Sequence, residues 1–140
     1  MEKSARKYEF TGKTQEYLGH TLHQIRALVN VNRLVKPGDL GGWIENESNL
    51  SHDGKAWVDI GAFVFENARV FGDAWVCHDT RVFGNAMVAG EAEVSDEAWV
   101  CGTARIYGDT EVCGAMYVDE GTYNGGILEV RPSTEGYLRL

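Results

Sequence analysis

The sequence predicts an all-β chain: a short left-handed parallel β-helix with a non-repeating N-terminal cap and a short strand-like C-terminal tail. Three observations predict it. Val or Ile recurs at every sixth position from Val58 to Val118 without a break. Two places before each aliphatic stands a small residue, Ala or Thr, in every unit but the last. Two places after it, Gly closes six of the eleven units, and Asp or Asn follows it in three of these as a turn former.

The units run from Ala56 as AWVDIG, AFVFEN, ARVFGD, AWVCHD, TRVFGN, AMVAGE, AEVSDE, AWVCGT, ARIYGD, TEVCGA and MYVDEG. A small, a variable and a branched aliphatic residue make a short strand of period two, so the first and third point inward together. A unit of six cannot bury its own apolar side. Three of them close a triangular coil, and each coil stacks on the next by parallel pairing at about 4.8 Å. Eleven units at three per coil make a little under four coils.

Three segments follow, as parts of one structural unit: 1–55, the N-terminal strand and cap; 56–121, the repeats; and 122–140, the tail. Thr21 to Val31 (TLHQIRALVNV) reads as a strand and is followed by a Pro-Gly turn in VKPGDLGGWIE. An open β-helix end exposes unpaired backbone groups, so this segment is expected to cover it. In the tail, GILEV and GYLRL are strand-like pieces separated by Arg-Pro, suited to covering the last coil or reaching a neighbouring subunit.

A chain of 140 residues with 44% hydrophobic content is one soluble domain's worth. No apolar run is long enough to span a bilayer and no signal peptide is visible, so a cytoplasmic protein without membrane contact is expected, in the host cytoplasm if phage-encoded. The net charge of −8 argues against direct binding to nucleic acid, whose phosphates need a basic field. An acidic surface can instead dock on a basic protein. Cys77 and Cys113 lie two coils apart by the repeat, beyond disulfide reach, and the three cysteines are read as thiols.

The 18-residue coil assigns outward side chains to three faces. The first carries Trp57 and Asp59, Trp75 and Cys77, Glu93 and Ser95, and Glu111 and Cys113, turning from aromatic to acidic. The second carries Phe63 and Phe65, Arg81 and Phe83, Trp99 and Cys101, and Tyr117 and Asp119. Phe63, Phe65, Arg81, Phe83, Trp99 and Tyr117 are therefore expected either to form an oligomer interface or to lie under the terminal segments. The third carries Arg69 and Phe71, Met87 and Ala89, and Arg105 and Tyr107. Arg69, Phe71, Arg105 and Tyr107 are the candidate ligand-binding set, since rings stack on a base while guanidinium groups take phosphate oxygens. The alternative is that these arginines balance the acidic turn ladder of Asp73, Glu91 and Asp109.

The units VFGDAW, VFGNAM and IYGDTE resemble the V-x-G-N-A-x branch of the hexapeptide-repeat superfamily, over about half the chain. The LHQIRAL, GDLGGWIE, ENESNLS and GKAWV stretches that lead into the repeats resemble the YdcK-type proteins of enterobacteria and prophages, often labelled transferases by analogy of fold. The resemblance implies a left-handed β-helix that packs as a homotrimer. Acyltransferases of this fold use a His as general base and hold acyl-CoA between subunits, commonly under an inserted loop, whereas these repeats carry no insertion and place Gly one residue later in the turn.

Of His20, His23, His52 and His78, only His78 falls in the repeats, beside Asp79. It is the catalytic candidate, against a solvated turn histidine. The three His ligands that carbonic anhydrases of this fold converge on one metal are absent from the repeats, and no metal motif, P-loop or Ser-His-Asp spacing occurs. No metal and no cofactor are expected. The leading expectation is a non-catalytic oligomer of phage or prophage type, acting against host defence by sequestering an anionic nucleotide signal or by blocking a defence protein. The alternatives are an acyltransferase using His78 and a structural protein that polymerises end to end.

Overall fold

A computed structural model describes residues 6–130. Strands, numbered in chain order, stack into three sheets that form a parallel β-helix of about five turns. One sheet carries β4 (Trp57–Val58), β7 (Trp75–Val76), β10 (Glu93–Val94), β13 (Glu111–Gly114) and β16 (Ile127–Val130). The second carries β3 (Leu40–Ile44), β5 (Phe63–Val64), β8 (Arg81–Val82), β11 (Trp99–Val100) and β14 (Tyr117–Val118), preceded by the hairpin of β1 (Tyr8–Tyr17) and β2 (His20–Ala27). The third carries β6 (Arg69–Val70), β9 (Met87–Val88), β12 (Arg105–Tyr107) and β15 (Thr122–Asn124). Leu50 bridges to Val70 and so begins that sheet.

Every strand inside the repeats is parallel and in register at eighteen residues, as in Val76↔Val94↔Val112. From Val58 to Val118 the aliphatic side chains are buried, with the Ala of each unit beside them and Thr80 and Thr110 in the same inward row. This row of small side chains keeps the triangular core narrow.

The coil extends beyond the six-residue ladder at both ends. Ile44 pairs with Val64, and Leu50 with Val70, so these two residues, six apart, form an earlier rung. Two extra residues before Val58 break the spacing there. At the other end Tyr123 pairs with Ile106 and Leu128 with Val112, in units of five residues instead of six. The tail piece GILEV therefore continues the coil through β16, while GYLRL lies outside the described residues.

The residue two places after the aliphatic is left-handed in nine successive units, from Glu66 to Gly114. Most are Gly because a Cβ would strike the rung below: on Gly90 it would sit 2.6 Å from the Gly108 nitrogen. Glu66, His78 and Asp96, with φ of 59, 63 and 64°, stand in that slot without being Gly.

The N-terminal end is capped. The Lys7 ammonium donates to the Ala56 carbonyl at 2.7 Å, and the Tyr8 hydroxyl to the Leu50 carbonyl at 2.7 Å. Burial pushes the Lys7 pKa down to about 8. Trp57, outward by the repeat, is instead fully buried: Tyr8 packs edge-on to its ring at 6.4 Å.

Candidate functional site

On the third face, Arg69, Met87 and Arg105 form one outward row in register. The two arginines are thus about 10 Å apart, twice the strand spacing, with Met87 between them. Each has its own ring across the aliphatic residue, Phe71 beside Arg69 and Tyr107 beside Arg105. The Arg69 guanidinium carbon lies 6.0 Å from the Phe71 ring centre, at the limit of cation–π contact. Tyr107 donates its hydroxyl to the Met87 sulfur at 3.5 Å, which fixes both side chains on the sheet.

Arg69 and Phe71 open onto a groove of about 300 Å³ whose other wall is Glu47, Ser48, Ser51 and His52. That wall is built rigidly. His52 stacks on Tyr8 at 4.1 Å, accepts the Lys7 amide at Nδ1 (3.0 Å), and meets Glu47 Oε1 through Nε2 at 2.8 Å. Because Nδ1 accepts, Nε2 carries the proton and donates to the carboxylate. That bond, and Arg6 at 3.2 Å, hold the Glu47 carboxyl below the usual range. The groove therefore offers one exposed guanidinium, one ring, two hydroxyls and one fixed carboxylate, which suits a ligand carrying an anion, a flat ring and hydroxyl groups.

On the second face, Phe63 and Phe65 are buried within the single chain, because the tip of the β1–β2 hairpin folds over them. Tyr17 meets both rings edge-on at 4.8 and 5.6 Å, and Leu22 packs beside them. The Arg81 guanidinium lies 3.8 Å from the Phe63 ring centre and 5.2 Å from that of Tyr17. Of the six residues expected at an interface, Phe63 and Phe65 are covered by the N-terminal segment, and Arg81 and Phe83 are half-buried. Trp99 and Tyr117 remain open, at 36% and 58% exposure. The rings still form one continuous row, Phe65 to Phe83 at 5.0 Å, Phe83 to Trp99 at 5.5 Å and Trp99 to Tyr117 at 6.4 Å.

His78 is exposed at the corner between the first two faces, where a groove of about 570 Å³ runs past His78, Asp79, Asp96 and Glu97. Its Nδ1 accepts the Asp96 amide at 3.2 Å. The carboxylate near its ring is that of Asp96, at 3.8 Å. Any base chemistry falls to Nε2. Cys77, beside it, has its thiol pushed up to about 11 by burial, so it is protonated at neutral pH. No disulfide joins the three cysteines, and no cluster of three metal-ligating groups occurs among the described residues.

A further cluster joins the hairpin to the coil. His20, at the start of β2, meets Glu45 through Nδ1 at 2.9 Å and Glu66 through Nε2 at 3.2 Å. Glu45 in turn accepts the Glu66 amide at 2.8 Å, and Glu66 accepts the Gly84 amide at 2.9 Å. The available signal was Glu66 itself, a carboxylate in a glycine slot. No family model matches the chain, and no curated protein resembles it closely enough to suggest a family.

Proposed function

We propose that this protein is a non-catalytic oligomeric binding protein, of phage or prophage type, that counters host defence by sequestering an anionic nucleotide signal on its third face. The observation that carries the reading is the Arg69–Phe71 pair at the mouth of a groove walled by Ser48, Ser51 and the anchored Glu47. In this reading the guanidinium takes a phosphate, the Phe71 ring takes the base, and the fixed carboxylate with the serine hydroxyls takes sugar hydroxyls. Arg105 and Tyr107, two rungs away, suit a second phosphate and base of a dinucleotide. Trp99 and Tyr117 supply apolar area for self-association into a trimer. Titration calorimetry with cyclic mono- and dinucleotides tests this. The expected outcome is saturable binding without turnover, weakened at least tenfold by Arg69→Ala; no binding of any of them by the wild type overturns it.

A second reading has its own observation. The groove at His78 is the larger of the two, and Nε2 faces away from the Asp96 amide bond. An acyltransferase using acyl-CoA with His78 as general base would show CoA-dependent turnover that His78→Ala removes.

A further inference from the structure

The backbone pairing of the β1–β2 hairpin to the coil stops short of its tip. His23 pairs with Ile44 and Gln24 with Trp43, whereas Tyr17 to Leu22 have no strand of the coil beside them. What holds the tip down is side-chain chemistry. Tyr17 and Leu22 pack on Phe63 and Phe65, and the Arg81 guanidinium stacks on Tyr17. His20 places one ring nitrogen on each of two carboxylates. The turn itself is strained, with Leu18 left-handed at φ 50° and 71% exposed ahead of Gly19.

The carboxylates form a receptor that belongs to the coil, since Glu45 and Glu66 each cap a turn amide in the rungs behind them. Each is thus tied to the coil by a backbone hydrogen bond that does not involve the hairpin. From the hairpin side the other acid near the tip among the described residues, Glu16 on β1, accepts from the Thr21 hydroxyl at 2.7 Å. Across the shelf the facing cation is Arg81, which bonds to the Gly61 and Thr80 carbonyls. An imidazolium donates to both carboxylates at once. A neutral ring donates to one and turns a lone pair toward the other.

We propose that the hairpin tip is a proton-controlled latch: His20, when protonated, closes it over the Phe63–Phe65 shelf, and its deprotonation releases it. The hydrogen bond to Glu45, reinforced by the charge of both glutamates, raises the His20 pKa above its ordinary value of 6.5. Against the upward pull of its own partial burial, Glu45 is held down by the same bond. The raised pKa makes the contribution to closure complete below the ordinary value, and it is lost as pH rises through the raised one. Release adds Phe63 and Phe65 to the open row of Trp99 and Tyr117, lengthening the aromatic face. The latch does not depend on any ligand on the third face.

Amide hydrogen exchange of the whole chain across about pH 6 to 9, corrected for intrinsic rates, tests it. Protection at Tyr17 to Leu22 is expected to fall several-fold as pH rises, while the amides of Val58 to Val118 stay unchanged. In His20→Gln the tip is expected to be poorly protected at every pH, and in His20→Arg, a permanent cation, well protected at every pH. A flat profile in the wild type, or the wild-type slope surviving in either variant, overturns the proposal.

Discussion

His78 Nδ1 accepts the backbone amide of Asp96 one rung away at 3.2 Å, and Asp96 Oδ2 accepts that of Gly114 one rung further at 2.8 Å. Glu66 does the same for Gly84 at the next corner. Each non-glycine residue in the left-handed slot thus carries an acceptor that caps the exposed amide of the slot behind it. A left-handed L-residue costs about 1–3 kcal/mol, and one such hydrogen bond returns about 1 kcal/mol. His78→Gly and Asp96→Gly are therefore expected to leave stability within about 1 kcal/mol of wild type. His78→Val, β-branched and without an acceptor, is expected to lose about 2 kcal/mol. Urea unfolding of the three variants checks this.

The Lys7 cap has an alkaline signature. Its ammonium, buried at 3% exposure, has a pKa of about 8 when folded against 10.5 when unfolded. A depressed ammonium makes the unfolded state bind more protons in that window, so Lys7 contributes a stability that rises with pH from about 8 upward. Tyr8, whose phenol burial holds above its ordinary 10.0, opposes this at the top of the range. The difference in stability between wild type and Lys7→Met is expected to grow in favour of wild type from about pH 8 to 10, by on the order of 2–3 kcal/mol. A difference independent of pH counts against the assignment.

The rings of the second face divide into shelf and surface. Phe65→Ala removes a side chain that is 2% exposed and is expected to cost about 3 kcal/mol. Trp99→Ala and Tyr117→Ala remove exposed rings and are expected to change stability by less than about 1 kcal/mol while weakening self-association. Sedimentation velocity beside thermal unfolding separates the two effects.

Leu50 marks the early rung. It is fully buried and bridges to Val70, with Tyr8 bonded to its carbonyl. Leu50→Ala is expected to cost about 2–5 kcal/mol, a core value for a residue outside the unbroken repeat. A loss under about 1 kcal/mol would show that the coil begins only at Ala56.

The six-residue recurrence made the interior legible because each inward position is occupied by an aliphatic whatever its neighbours do. The same rule hid the ends. Ile44 and Leu50 keep the spacing, but Ser51 to Lys55 shift the phase before Val58, and Tyr123 and Leu128 follow five-residue units. The first hairpin strand was not legible, since the TGKTQE stretch of β1 is polar throughout and is ordered by its antiparallel pairing to β2. Of the candidate sites, the outward rows of Arg69 and Trp99 followed directly from the period. The groove wall at Glu47 and His52 and the His20–Glu45–Glu66 cluster arise from residues brought together by the cap, at separations no repeat encodes.

Native mass spectrometry of the intact protein purified from expressing cells reads assembly and sequestration in one spectrum, because it reports subunit number and retained small molecules together. The expected spectrum is a three-chain assembly carrying an unaltered nucleotide, with the nucleotide lost in Arg69→Ala and the assembly lost in Trp99→Ala. A single-chain mass with no adduct, both as purified and after incubation with cyclic nucleotides, would rule out nucleotide sequestration by a trimer.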